Sequence, residues 1–188
     1  MAIYNVHSRV LHRTGADQAW ALVDTLATTN DALWPAADWP AMRLDAPLSV
    51  GAAGGHGPIR YTVIGYAPGH WVRFRFTGPR GFDGFHEFTV HDGPDGAELR
   101  HTLAITARGP ARFTWPLAYR WMHDAALEDC LDRAELATTG GVQHPARWSP
   151  NVRLLRRLVG RAPKHAPTLY GSAPTPDIDH AGTTAASR

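Results

Sequence analysis

A chain of 188 residues, 44% apolar and 19% charged, has room for one domain with a substantial core and the make-up of an ordinary globular protein. Nineteen Lys and Arg against seventeen Asp and Glu leave a formal net charge of only +2, too small an excess for the basic stripe of a nucleic-acid binder, so nucleic acid is not an expected partner. Cys130 is the sole cysteine, which excludes an internal disulfide and a thiolate metal cluster and suits a reducing compartment. Met1 to Arg13 lacks the continuous apolar stretch of a signal peptide, and nowhere do about eighteen apolar residues run together, so the expectation is a cytoplasmic protein without stable membrane insertion.

At the start of the chain, Tyr4, Val6, Ser8 and Val10 alternate with Asn5, His7 and Arg9, the period of a half-buried strand. Thr14 is placed to cap a helix with Asp17 in its first turn and Ala16, Trp20 and Val23 at helical spacing, ending near Ala27 or Thr28. Pro35 and Pro40 break up the stretch around Trp34 and Trp39, which leaves room for a short helix at most. A weak strand follows over Met42 to Val50, then a glycine-rich segment, Gly51 to Gly57, reads as a flexible loop carrying His56.

From there the alternation is strong. Ile59, Tyr61 and Val63 alternate with Arg60 and Thr62; Val72, Phe74 and Phe76 with Arg73, Arg75 and Thr77; His86, Phe88 and Val90 with Glu87, Thr89 and His91; Leu99, His101, Leu103 and Ile105 with Glu98, Arg100, Thr102 and Thr106. Turn residues at Ala67-Pro68-Gly69, Gly78 to Gly81 and Asp92 to Gly96 join these runs into an antiparallel meander with one apolar face and one charged, solvated face. On that outer face Arg73, Arg75, Glu87, Glu98 and Arg100 can pair across strands.

Between about Trp115 and Thr138 the period becomes helical. Trp115, Tyr119, Met122, Ala126, Leu127, Cys130, Leu131 and Ala134 share one broad face, while Asp124, Glu128, Asp129, Asp132 and Glu135 fall on the other. At 1.5 Å per residue the helix is roughly 35 Å long, enough to cross a small sheet and complete its core. Beyond Gly140-Gly141 the composition shifts; Ser149-Pro150 can open a short helix near 150–160, and residues 161–188 read as a disordered tail. The division expected is therefore one domain over 1–139 and a C-terminal extension over 140–188.

The order strand, helix, irregular stretch, meander, long C-terminal helix resembles the SRPBCC or START-like superfamily of pollen allergens, lipid-transfer domains and aromatic polyketide cyclases. The residues that carry the resemblance are Gly57 to Tyr61, Val72 to Gly78, Gly81 to His86, Trp115-Pro116-Leu117, His123-Asp124-Ala125 and Leu131-Asp132-Arg133. It covers about residues 3–139 and extends most closely to small bacterial SRPBCC proteins of the polyketide cyclase/dehydrase type. The resemblance implies an α+β helix-grip fold: a curved antiparallel sheet wrapped around the last helix, with an apolar cavity between them. Six strands can be counted, and a seventh would come from Arg108 to Thr114 or from a split of Met42 to Val63.

Polar groups on the inward faces mark candidate chemistry. His86 and His101 lie on neighbouring strands and His123 near the middle of the helix's apolar face, so all three can point into one cavity as general acids or bases or as ligand-orienting groups. Each is equally able to be a hydrogen-bonded core residue. Tyr61, Phe74, Phe76, Phe88 and Trp115 supply aromatic walls; Leu103, Tyr119, Met122 and Ala126 add apolar surface; Arg120 stands at the edge, able to meet an anionic ligand end or to snorkel outward. His56, Trp34 and Trp39 are expected at the mouth. Without a His pair at i, i+4 spacing or a G-x-G-x-x-G loop, neither a metal nor a cofactor is expected. Cys130 reads as an inert core thiol.

Three functions fit. The favoured one is binding of a small hydrophobic or aromatic molecule, such as a lipid or polyketide, by a monomer or weak homodimer. The alternative is a cofactor-free polyketide cyclase, aromatase or dehydratase in which a histidine moves protons in the same cavity. An interaction module built on residues 150–160 is the third.

Overall fold

The computed structural model describes residues 1–159, so the tail expected to be disordered lies outside the described residues. Seven strands form one antiparallel sheet: β1 (Ala2–His12), β2 (Arg43–Leu44), β3 (Ala53–His56), β4 (Ile59–Ala67), β5 (Trp71–Gly78), β6 (Phe82–His91) and β7 (Gly96–Ala107), in the spatial order β1-β7-β6-β5-β4-β3-β2. α1 (Ala16–Asp24) follows β1, and the chain after β7 is helical without a break from Ala111 to Thr139. This run of 29 residues comprises α2 (Ala111–Thr114), a π-helical turn (Trp115–Tyr119) and α3 (Arg120–Thr139). α4 (Pro150–Val159) ends the described chain.

The seventh strand is β3, from the split of Met42 to Val63; Arg108 to Thr114 instead leads into and forms α2. The glycine-rich segment is therefore a strand and not a free loop, for a steric reason. A Cβ on Gly54 would stand 1.9 Å from the Arg43 carbonyl oxygen, and one on Gly55 1.9 Å from that of Ile59. Only glycine lets the neighbouring backbones approach so closely on both sides.

β1 faces the opposite way from its apolar alternation. Tyr4 is 75% exposed, and Val6 and Val10 are also exposed, while the register opposes Ile3, Asn5, His7, Arg9 and Leu11 to Ile105, Leu103, His101, Leu99 and Ala97 of β7. Pairing with β7 decides the parity, because those β7 residues are the buried set. The polar side of β1 thus looks at α3, and the acidic residues of α3 lie against it. His7 meets Asp124 and Glu128, and Arg9 meets Glu128, Asp132 and Glu135, the last being buried.

Three helix boundaries also differ from expectation. The Thr14 hydroxyl donates back to the His12 carbonyl, Gly15 is the N-cap of α1, and the Gln18 side chain accepts from the Gly15 N–H at 3.2 Å. α1 stops at Asp24, where Thr25 and Leu26 turn tightly onto Leu22 and Val23. The long helix starts before Trp115 and widens by one residue next to Pro116, the Arg120 N–H donating to the Trp115 carbonyl; proline has no N–H to give the preceding turn.

Residues 140–159 pack back on the domain. Val152 is buried in the main core, Trp148 and Trp39 meet edge to face at 5.8 Å, and both indole N–H groups donate to the same Asp129 carboxylate oxygen, at 2.8 and 2.7 Å. The Arg156 guanidinium covers the Trp148 ring at 3.8 Å.

Candidate functional site

A cavity of about 100 Å³ lies between the sheet and the start of α3. Phe76, Phe88, Leu103, Trp115, Tyr119, Met122 and Ala126, all expected at the site, line it together with His86, His101 and His123. Trp34, Trp39 and His56 also line it, but both tryptophans are buried and form wall, not mouth. The lining residues that are not fully buried are Pro40, His56, Ile59, Phe76, Tyr119, Met122 and His123, with Pro58 exposed, so the opening lies toward the β3–β4 turn and the first turn of α3. Met42, Phe82 and Leu127 add apolar surface; in the sequence Met42 opens the weak strand, Phe82 follows the Gly78 to Gly81 turn and Leu127 lies on the apolar face of the last helix, and no local signal marks them as lining.

Tyr61, Phe74 and Arg120 do not line the cavity. Tyr61 and Phe74 sit behind His86, which stacks on Phe74 at 4.9 Å and meets the Tyr61 ring edge to face at 5.0 Å. The Tyr61 hydroxyl lies 3.2 Å from His56 Nδ1. They support the histidines of the wall. Arg120 is on the outer side of α3, 60% exposed, with its Nε 3.6 Å from Asp124 one turn on.

The loop before β2 is held by side chains that accept backbone N–H groups. Asp31 accepts from Ala27, Leu33 and Trp34, and the Trp34 indole donates to the Pro40 carbonyl at 2.9 Å. These bonds fix Trp34 against His56, ring centres 4.6 Å apart.

His86 and His101 are diagonal neighbours on β6 and β7, and His86 Nδ1 lies 3.2 Å from His101 Nε2. His123 reaches down from α3 to 5.2 Å from the His101 ring and 5.7 Å from Trp115. Burial, with repulsion between these imidazoles, pushes His86 and His101 well below the ordinary histidine range and His56 down to about 3. His123 is lowered by burial against the opposing pull of Asp124. All four are neutral at physiological pH.

Behind His123 lies a group absent from the sequence-level site. Asp124 Oδ1 accepts from His7 at 3.2 Å, from His123 Nδ1 at 3.3 Å and from the Asn5 amide at 3.1 Å, and His7 Nδ1 is 2.7 Å from Glu128. Ligand atoms of His7, His123 and Asp124 fall within 4.8 Å of one another, a spacing that suits a metal. Three N–H donors already converge on the carboxylate oxygen, so the cluster is closed by hydrogen bonds alone. His7 belongs to the polar set of the β1 alternation, and the period of that strand gives no sign that this set is the one turned inward.

No family model matches the chain, and no curated protein is similar to it in sequence. Solved structures do match. CalU16 from Micromonospora echinospora superposes with a TM-score of 0.51 at 14% identity over 84% of this chain and 83% of that one. Norcoclaurine synthase from Thalictrum flavum gives 0.52 at 15% identity over 74% and 98%.

The fold is the START-like helix grip that these structures share.

The di-domain ARO/CYC StfQ of the steffimycin biosynthetic pathway adds a TM-score of 0.54 at 10% identity, over 74% of this helix-grip chain and 51% of StfQ. Among the described residues no helix is long and apolar enough to cross a membrane.

Proposed function

We propose that the protein binds one small, neutral, largely apolar molecule in the cavity between its sheet and α3, as a monomer or weak homodimer in the cytoplasm. One observation carries this reading. The cavity walls are aromatic and aliphatic side chains, and the only buried polar side-chain atoms without a partner among its described lining residues are the three imidazole nitrogens His86 Nε2, His101 Nδ1 and His123 Nε2. Such a cavity selects an apolar body with a few polar substituents. A dry cavity on the order of 150 Å³ takes up benzene, so a single aromatic ring is the natural scale of the ligand. Norcoclaurine synthase, with the same fold, holds a transition-state analogue, which supports a ligand-holding role here. The test is titration with an environment-sensitive apolar dye: one equivalent binds, and Met122→Trp, which fills the opening, weakens it at least about tenfold without lowering Tm. A folded protein that takes up no dye would remove the reading.

The second reading, a cyclase, aromatase or dehydratase step on the bound molecule, is favoured by the Asp124–His123 contact, which orients an imidazole beside the cavity as a base is oriented in acid–base catalysis. His123→Leu separates the two. A lost hydrogen bond weakens binding by about 1 kcal/mol, whereas a lost base slows turnover by on the order of 10²-fold or more.

A further inference from the structure

The direction of every hydrogen bond in the histidine cluster follows from what each ring nitrogen faces. A carboxylate oxygen only accepts, so a nitrogen within bonding distance of it carries the proton. Both nitrogens of His7 face carboxylates, Nδ1 that of Glu128 at 2.7 Å and Nε2 that of Asp124 at 3.2 Å; His7 is an imidazolium. His123 Nδ1 faces Asp124 Oδ1 at 3.3 Å and so bears hydrogen. A neutral His123 then has a bare lone pair on Nε2, which is buried, has no protein partner and belongs to a residue lining the cavity. His86 and His101 share a single proton between Nδ1 and Nε2 at 3.2 Å. Whichever of the two donates, this neutral pair is left with one N–H and one lone pair on its unpartnered nitrogens.

We propose that Asp124, which does not line the cavity, decides what the cavity recognises: by holding His123 as the Nδ1–H tautomer it makes Nε2 an acceptor only, and the preferred ligand is one that donates an O–H to it. Asp124 is a positioning residue, kept in place by the Asn5 amide and by His7, which Glu128 holds from its other side. A ligand group that only accepts, such as an ether oxygen, meets Nε2 lone pair to lone pair and leaves a buried acceptor unsatisfied. A hydroxyl satisfies it. The inference rests on the cavity reading above and adds the polarity of one contact.

The tautomer is read directly from the ¹⁵N shifts and long-range ¹⁵N–¹H couplings of His123 in the ligand-free protein. A protonated Nδ1 and an unprotonated Nε2 are expected; the reverse would overturn the proposal whatever any ligand does. The second arm compares 4-ethylphenol with 4-ethylanisole in wild type and in Asp124→Leu. Wild type favours the phenol by at least about fivefold. In Asp124→Leu the tautomer is released and the ratio falls toward one while the ether still binds, a change in which size and hydrophobicity of the probes cancel. A ratio near one in wild type, or an unchanged ratio in the variant, would overturn the role of Asp124. Failure of both probes to bind wild type would overturn the cavity reading and the inference with it.

Discussion

His7 sits with one ring nitrogen on Asp124 and the other on Glu128, its side chain only 13% exposed. Burial opposes its charge, but the hydrogen bonds and charges of the two carboxylates outweigh it and push the pKa up to about 9. An imidazolium favoured by the fold contributes stability that is fully present below its ordinary pKa near 6.5 and is lost as pH rises through about 9. His7→Gln is therefore expected to cost on the order of 2 kcal/mol at pH 6 and little at pH 10, measured by urea unfolding at both. An equal loss at the two pH values would mean that His7 acts through packing alone. His56, His86, His101 and His123 have the opposite sign. Their pKa values are lowered on folding, so the unfolded chain takes up protons first and stability falls as pH drops below about 6.5. His86→Phe flattens that acid limb if the histidine is held neutral, as the stacking on Phe74 and the cavity both favour.

At the scale of elements, β3 and the segment leading into α4 each support a wall residue of the cavity, His56 and Trp39. β3 carries His56 beside Trp34 and needs glycine at position 55, where φ is 158° and a Cβ would meet the Ile59 carbonyl. Gly55→Ala is expected to unpair β3 from β4, lowering stability by about 2 kcal/mol or more and weakening dye binding, read in the same titration. α4 and the segment before it act through Trp148, which shares the Asp129 oxygen with the cavity residue Trp39. Trp148→Ala leaves Trp39 with one fewer ring to pack on, and a loss of about 2 kcal/mol or more is expected in thermal or chemical unfolding. An unchanged Tm would show that residues 140–159 merely lie on the surface.

Across the whole molecule the sheet supplies apolar side chains to two packed clusters, one around Trp20, Phe74 and Leu131 and one around Phe82, Leu103 and Trp115. The cavity draws lining residues from both clusters, with the three imidazoles among them. A ligand that fills it binds only the folded chain. At about 100 times its Kd such a ligand adds about 2.7 kcal/mol, which raises Tm by several degrees in differential scanning fluorimetry. A compound that binds stoichiometrically without raising Tm would have to occupy the unfolded chain equally well or a site outside the core.

Local chemistry determined most of this architecture. The alternation of β4 to β7, bounded by Pro68-Gly69, Gly78 to Gly81 and Asp92 to Gly96, is a period-two pattern between turn residues, and it placed His86 and His101 on the buried face without reference to any partner. The spacing of Met122, Ala126 and Cys130 did the same for His123 on the helix. Other features depended on contacts far apart in sequence. The parity of β1 was decided by β7, about ninety residues away, because an edge strand with mixed faces carries no local sign of which face is covered. Strand β3 looked like a loop since its glycines are required by neighbouring backbones and not by a turn. The acidic stripe of α3 resembled a solvated face until His7 and Arg9 lay across it. The periodicity of this chain thus set the strands of the meander, the long helix and the inward histidines, and the order of these elements carried the resemblance to a helix grip, while only the tertiary structure brought Asp124, His7 and Glu128 behind His123, because a buried charge is tolerated where its partner comes to meet it.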